Sequence, residues 1–219
     1  LIWLCVAPPF VLAALLAVEH VLDVRERSRE QAQGLAQVAS ASIDEALRNR
    51  IGALQLLAAS PLADDAARQK DFYVEAQNYL RHFGHHVIQV DADGRTLRFS
   101  TRVPLGSPLP LASVPKGRVA IDIAAISGQP EVSDVFVGAI SQLPMVSTAV
   151  PAVRGDRVRF YLVGAIETRW LEQRLSSLAL PAGWTMSLRD SQAELLARHG
   201  PATIDTDDSA LRFDVPLRQ

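Results

Sequence analysis

The sequence predicts an α+β protein carried on an apolar N-terminal helix, and three features of it do so. Residues 1–18, LIWLCVAPPFVLAALLAV, hold no charged and no strongly polar side chain. Residues 32–57 repeat apolar side chains every three or four positions, the spacing of one helix face. From His86 the apolar period becomes two, the alternation of a half-buried strand. The expected order is a transmembrane helix, a long stalk helix, a five-stranded antiparallel sheet with flanking helices, and a small second α+β lobe. The ranges are 1–18 for the membrane segment, 19–178 for the stalk and first lobe, and 179–219 for an abbreviated or truncated second lobe.

At about 1.5 Å per residue, an eighteen-residue helix reaches roughly 27 Å, close to the thickness of the hydrocarbon core. Pro8-Pro9 is tolerated in a bilayer helix where neighbouring groups satisfy the freed carbonyls. No small-x-small signature precedes a cleavage point near Val18, so an anchor is expected rather than a removed signal peptide. The flank mixes Glu19, Asp23, Glu26 and Glu30 with Arg25, Arg27 and Arg29. It lacks the basic excess of a cytoplasmic loop, which favours an outside location for the chain that follows. The chain opens at Leu1 rather than a methionine, so it is expected to be part of a longer one with its output module beyond Gln219.

The stalk stripe runs through Ala32, Leu35, Ala39, Ile43, Leu47, Ile51, Leu54 and Leu57, and Pro61 stops it. Its alanines suit close helix packing, either on the first lobe or against a second copy near the membrane. A second amphipathic helix is expected over 70–83, ended by Gly84. Strands follow at 86–91 and 95–101 around Ala92-Asp93-Gly94. A proline-rich loop fills 103–115, and a short helix leads to Ser127. Three more strands are predicted at 132–138, 145–153 and 157–166, with a helix at 168–178 leaving the sheet. Beyond it, 184–190 and 194–198 read as two strands, 204–209 as a loop and 211–217 as a last strand.

Hydrophobic residues make up 48% of the chain and charged residues 21%, which supports a buried core. A net charge of −2 leaves no basic stripe for nucleic acid. Cys5 is the only cysteine, which excludes disulfides within the chain and multi-cysteine metal sites. Neither a GxGxxG, a P-loop, an HExxH nor a nucleophile elbow occurs, so no catalytic residue is assigned. His82, His85 and His86 could gather at a metal, but no carboxylate lies at ligand spacing and a helix end also accepts histidines as caps. No metal or cofactor is therefore expected.

A membrane span, a long helix and then a PAS-like sheet together resemble the double Cache sensor regions of bacterial receptors. Three segments carry the resemblance: FSTRVPLGSPLP at 99–110, GQPEVSDVFVG at 128–138 and PAGWTMSLRDSQAELLAR at 181–198. They are most similar to Cache-bearing histidine kinases of the HWE type. The resemblance covers about residues 19–198 and implies a ligand-sensing domain. It also implies a transferase module elsewhere in the full protein. Two features depart from the family. Amino-acid-binding members carry a tyrosine, an arginine before two aromatic residues and a downstream aspartate, whereas here Arg169-Trp170 is followed by Leu171 in the predicted exit helix. Asp190 is followed by Ser191-Gln192-Ala193, without the glycine that usually turns the second lobe.

Candidate ligand-binding residues are Arg102, Asp134, Phe136 and Tyr161. Arg102 opens the proline-rich loop, where a guanidinium could take a carboxylate ligand in bidentate fashion. Alternatively it pairs with Asp134 and pins the loop. Strand alternation puts Asp134 and Phe136 on one face, and Arg159, Tyr161 and Val163 on another shared face. Phe136 and Tyr161 could equally belong to the core. The functional expectation is an extracytoplasmic domain that senses a small, anionic metabolite and dimerises through its stalk. A membrane-anchored periplasmic interaction domain with a vestigial pocket is the alternative.

Overall fold

The computed structural model describes residues 2–201, with side chains from Glu26 onward. The expected span at 1–18, the loop at 204–209 and the strand at 211–217 lie outside the described side chains or residues. Among the described residues no helix is long and apolar enough to cross a membrane. Two compact units divide the chain, 1–44 with 204–219 and 45–203. The backbone of helix α1 runs from Ile2 to Ala58. Its part in the first unit is exposed or half-exposed through Val38 among the described side chains.

The second unit holds the sheet. After α1, two short 3-10 turns at Pro61–Asp64 and Ala66–Arg68 lead into α2, Gln69–Phe83. Gly84 then stops α2 at φ 71°, a left-handed conformation that a side chain would strain, as the sequence predicts. Strands β1 (His86–Asp91) and β2 (Leu97–Ser100) follow. Asp93 closes their turn by accepting from the amides of Arg95 and Thr96, both at 2.9 Å. Next come α3 (Ala120–Ser127), β3 (Glu131–Val132) and β4 (Phe136–Val137), then the long hairpin of β5 (Pro144–Arg154) and β6 (Arg157–Glu167). Helix α4 spans Thr168–Ser176, and β7 (Met186–Arg189) and β8 (Leu195–His199) make a separate two-stranded sheet.

The main sheet is antiparallel, ordered β2-β1-β6-β5-β3, with β4 also on the outer side of β5. It therefore has six strands where five were expected. The single strand predicted at 132–138 is broken into two by residues 133–135. The break has a local cause. Ser133 turns its hydroxyl onto the β5 amide of Ser147 at 2.9 Å, and Asp134 and Val135 bond outside the sheet. Alternation fails there, so Asp134 and Phe136 do not share a face as the unbroken strand predicted.

The two sheet faces are used differently. On one, Val87, Phe99, Val150, Phe160 and Leu162 pack against Leu54 and Leu57 of α1 and Phe72, Tyr73, Ala76 and Tyr79 of α2. Phe72 meets the Phe99 and Phe160 rings edge-on at 5.7 and 6.4 Å. Gly164 lets α1 approach this face, since a Cβ there would stand 2.8 Å from Thr148 Oγ1 and 2.9 Å from Leu54 Cδ1. The opposite face, with Val90, Ala149, Tyr161 and Val163, is only partly covered by Ala120 and Ala124 of the short α3. Eight residues of helix cannot shield a whole sheet face, and the uncovered part becomes a cavity.

Candidate functional site

The cavity is a half-open hollow of ≈ 740 Å³ counted together with the solvent at its mouth, of which ≈ 80 Å³ can hold the centre of a water molecule. Its floor is the sheet: Ile88 and Val90 of β1, Leu97 of β2, Val163 and Ala165 of β6, and Met145 and Ser147 of β5. Its walls are Val119, Ala120 and Ile121 at the start of α3, and Ala112, Ser113 and Pro115 of the proline-rich loop. Phe136 and residues 138–141 close the remaining side. Most of this lining is apolar, as in small-molecule pockets that fix a ligand's body by contact and its orientation by few polar groups. The hydroxyls of Ser133 and Ser147 are already engaged with each other at 3.0 Å.

Two ionisable side chains line it, His86 and Arg102. Burial, and then the Arg102 cation, lower the pKa of His86, against the raising effects of Glu167 and the Thr101 hydrogen bond. His86 is therefore neutral at neutral pH, with Nδ1 3.3 Å from Thr101 Oγ1. Arg102 is the cation of the cavity. Its guanidinium donates through Nη2 to Oε1 of Glu167, and both side chains keep about a third of their exposure, 28% and 34%. Arg102 does not pair with Asp134, as one sequence reading required. Sixty-five residues separate it from Glu167, yet the pairing of β1 with β6 brings the two together.

Asp134 and Tyr161 stand outside the lining. Asp134 is buried, at 4% exposure, and ties three segments together. Its carboxylate accepts from the Arg118 amide at 2.7 Å, the Ser191 amide at 3.1 Å and the Ser191 hydroxyl at 2.6 Å. Burial alone would push its carboxyl up. The Ser191 hydroxyl, the Arg118 and Ser191 amides and the Arg118 charge outweigh it and hold it below the usual aspartate value. Tyr161 is in the core beneath α3 with Val90, Ala120 and Ala124, and it shares that face with Val163 opposite Phe160 and Leu162. The register shifts at Arg159, however, and Val158 takes the place on the Tyr161 side that alternation gave to Arg159.

The turn at 190–193 is the unusual one that its sequence announced. Lacking glycine, it puts Ala193 at φ 63°. Asp190 compensates, its Oδ1 accepting from the amides of Gln192 and Glu194 at 2.9 Å each, while Oδ2 takes the Val135 amide at 3.1 Å. The hairpin thus docks on the broken edge strand through two aspartates, and its buried Leu196 and Ala197 face α4.

The histidine trio disperses. His82 is exposed against Phe83, His86 faces the cavity, and His85 turns to the Trp170 ring, edge-on at 5.3 Å. Burial first, and then the Arg50 cation, lower the His85 pKa to about 4 against the raising effect of Glu167, with a smaller lowering from coupling to His86. No group of three metal-ligating side chains converges among the described residues. Trp170, from the Arg169-Trp170 pair, belongs to α4 and stacks under the Arg50 guanidinium at 4.3 Å rather than lining the cavity. Sequence reasoning missed Glu167, Arg50 and the role of Ser191. Their partners lie far along the chain and no local motif marks them.

No family model matches this chain, and no curated protein matches it in sequence. Solved structures do match. The ligand-binding domain of the Pseudomonas aeruginosa amino acid chemoreceptor PctB in complex with L-Arg superposes with a TM-score of 0.56 at 16% identity, covering 73% of this chain and 70% of that one. The same receptor's domain with L-Gln gives 0.53 at 15% identity, over 70% of this chain. This chain spans 61% of its length. The ligand-binding domain of the Campylobacter jejuni chemoreceptor Tlp3 with L-valine gives 0.54 at 11% identity, covering 75% of this chain and 68% of that one. At such identities the likeness is one of fold: the chain shares the fold of these chemoreceptor ligand-binding domains.

Proposed function

We propose that this chain is the extracytoplasmic, small-molecule-sensing region of a bacterial membrane receptor. The cavity carries the reading: an apolar chamber on the lightly covered face of the sheet, with one cation at its edge. Chambers of this make are the default small-molecule sites of folded domains. The shared fold with domains that hold amino acids supports it. In this reading Arg102 and Phe136 touch the ligand, while Asp134 and Tyr161 hold the surrounding walls. Residues 1–18 anchor the chain in the inner membrane, and the stripe through Ala32, Leu35 and Ala39 pairs two copies in parallel. The β7–β8 hairpin begins a membrane-proximal lobe over 179–219, and the output is a histidine kinase of the kind the sequence resembles.

The test is a thermal-shift screen of the full chain in detergent micelles against mixed organic acids, amines, amino acids and sugars. At least one class should raise the melting temperature, by the equivalent of about 2.7 kcal/mol at a hundredfold excess over Kd. Ala112→Trp, which fills the cavity from the loop, should abolish the shift. If no compound shifts the wild type, the sensing reading fails and the vestigial pocket replaces it.

A further inference from the structure

We propose that the cavity selects a monocarboxylate with an apolar body and no ammonium group, and that this carboxylate takes Arg102 from Glu167, releasing the residue that opens α4. The proposal rests on the sensing reading and gives it a ligand class and a route of transmission.

Charge decides the class. No aspartate or glutamate is among the residues lining the cavity. An α-amino acid would bring an ammonium for which the lining supplies no anion, leaving only Glu167, beside Arg102 at the edge, to receive it, and an ammonium held in the apolar interior carries a heavy penalty. Asp134 cannot serve, because three donors from Arg118 and Ser191 already hold its carboxylate. A carboxylate, by contrast, meets a guanidinium whose planar fork matches it. The apolar floor and loop then take an apolar body. The neutral state of His86 leaves Arg102 as the positive charge the ligand sees.

Position decides the route. Glu167 is the last residue of β6 and the N-cap of α4, at φ −66° and ψ 141°. Its carboxylate now stands on the guanidinium that a ligand would use, so it is an internal competitor. Partly exposed pairs of this kind contribute little, and a ligand that adds apolar burial can displace one. One turn further along, Trp170 packs against His85 at 5.3 Å and the Arg50 guanidinium of α1 at 4.3 Å. Glu167 already acts electrostatically on both His85 and His86. A displaced Glu167 therefore changes the charge at the seam where α1 and α4 meet.

Three probes with one carbon skeleton separate the possibilities: 4-methylpentanoate, its amide, and L-leucine, which adds the ammonium. Binding is measured by calorimetry on the full chain in micelles, with folding of each variant checked by circular dichroism. Emission is read from Trp170 alone after Trp3→Phe and Trp184→Phe. The acid should bind at least about tenfold more tightly than either analogue, a difference of about 1.4 kcal/mol. Arg102→Gln should lose that preference. Glu167→Gln should bind the acid severalfold more tightly and show the shifted Trp170 emission before ligand is added. L-Leucine binding as well as the acid would overturn the class while leaving the sensing reading intact, as would a response only to other library compounds. Equal acid affinity in wild type and Glu167→Gln, with the Trp170 shift retained in both, would overturn the displacement. No response to any compound would fell the sensing reading itself.

Discussion

Replacing Asp134 by alanine removes one carboxylate and leaves three donors without it: the Arg118 amide, the Ser191 amide and the Ser191 hydroxyl. Hydrogen bonds to a charged group contribute roughly 1.5–3 kcal/mol each, and a buried donor left alone adds its own desolvation. The hairpin turn can reach water once released, so the sum is not fully lost. A destabilisation of about 3–5 kcal/mol follows, or roughly 10 °C in melting temperature for a unit of this size. Gly117→Ala attacks the same carboxylate from outside, because its Cβ would sit 2.1 Å from Asp134 Oδ2 and 2.7 Å from Gln192 Cγ. The two changes share partners, so the double variant should lose little more than Asp134→Ala alone. Acid supplies a further check. A carboxyl held below its ordinary value of 3.8 contributes stability above that pH and loses it as pH falls through the lower folded value. The gap between wild type and Asp134→Ala should accordingly be constant near neutrality and narrow in strong acid. Thermal unfolding by circular dichroism across pH measures all three. A melting point within about 2 °C of wild type, or strict additivity with Gly117→Ala, would refute the account of Asp134 as a three-way tie.

Other perturbations probe other parts of the molecule. His85, with its pKa lowered from 6.5 to about 4, is neutral in both states above pH 6.5; below that the unfolded chain takes a proton the folded one refuses. Stability should fall by roughly 3 kcal/mol between pH 6.5 and 4 on this account, and His85→Phe, read by urea unfolding, should lack that component. Gly164→Ala should cost about 1–3 kcal/mol through collision with Thr148 and Leu54, and Leu54→Ala should relieve part of it in the double variant. For topology, a cysteine at the exposed Asp156 in a Cys5→Ser background should react with a membrane-impermeant maleimide in spheroplasts, and reaction only after lysis would contradict an extracytoplasmic location.

Elements were legible in this sequence where local chemistry decides them, and pairings were not. The α2 boundaries, the Gly84 stop and β1 follow from periodicity and one glycine, and β5 and β6 from alternation about Arg154-Gly155-Asp156. The strand at 132–138 failed because its alternation was real in the sequence but overridden by donors from Arg118 and Ser191 to Asp134 and by the Asp190 carboxylate that accepts from the Val135 amide, none of them adjacent. Arg102 could be placed at the mouth of a loop, yet its partner depended on strand order. Once β1 is known to pair with β6, His86 falls opposite Ala165, which sets Glu167 just beyond that end of β1. The Thr101 amide bonds the Val87 carbonyl at 2.9 Å, which carries Arg102 to the same end from the other side. The pair is therefore a product of register. A one-residue slip of either strand would turn one partner to the opposite face of the sheet and separate them. That dependence gives Arg102 and Glu167 their diagnostic value: a charge pair fixed by two independent strand registers reports on the geometry of the cavity floor. Any ligand that disturbs it acts at the point where β6 becomes α4.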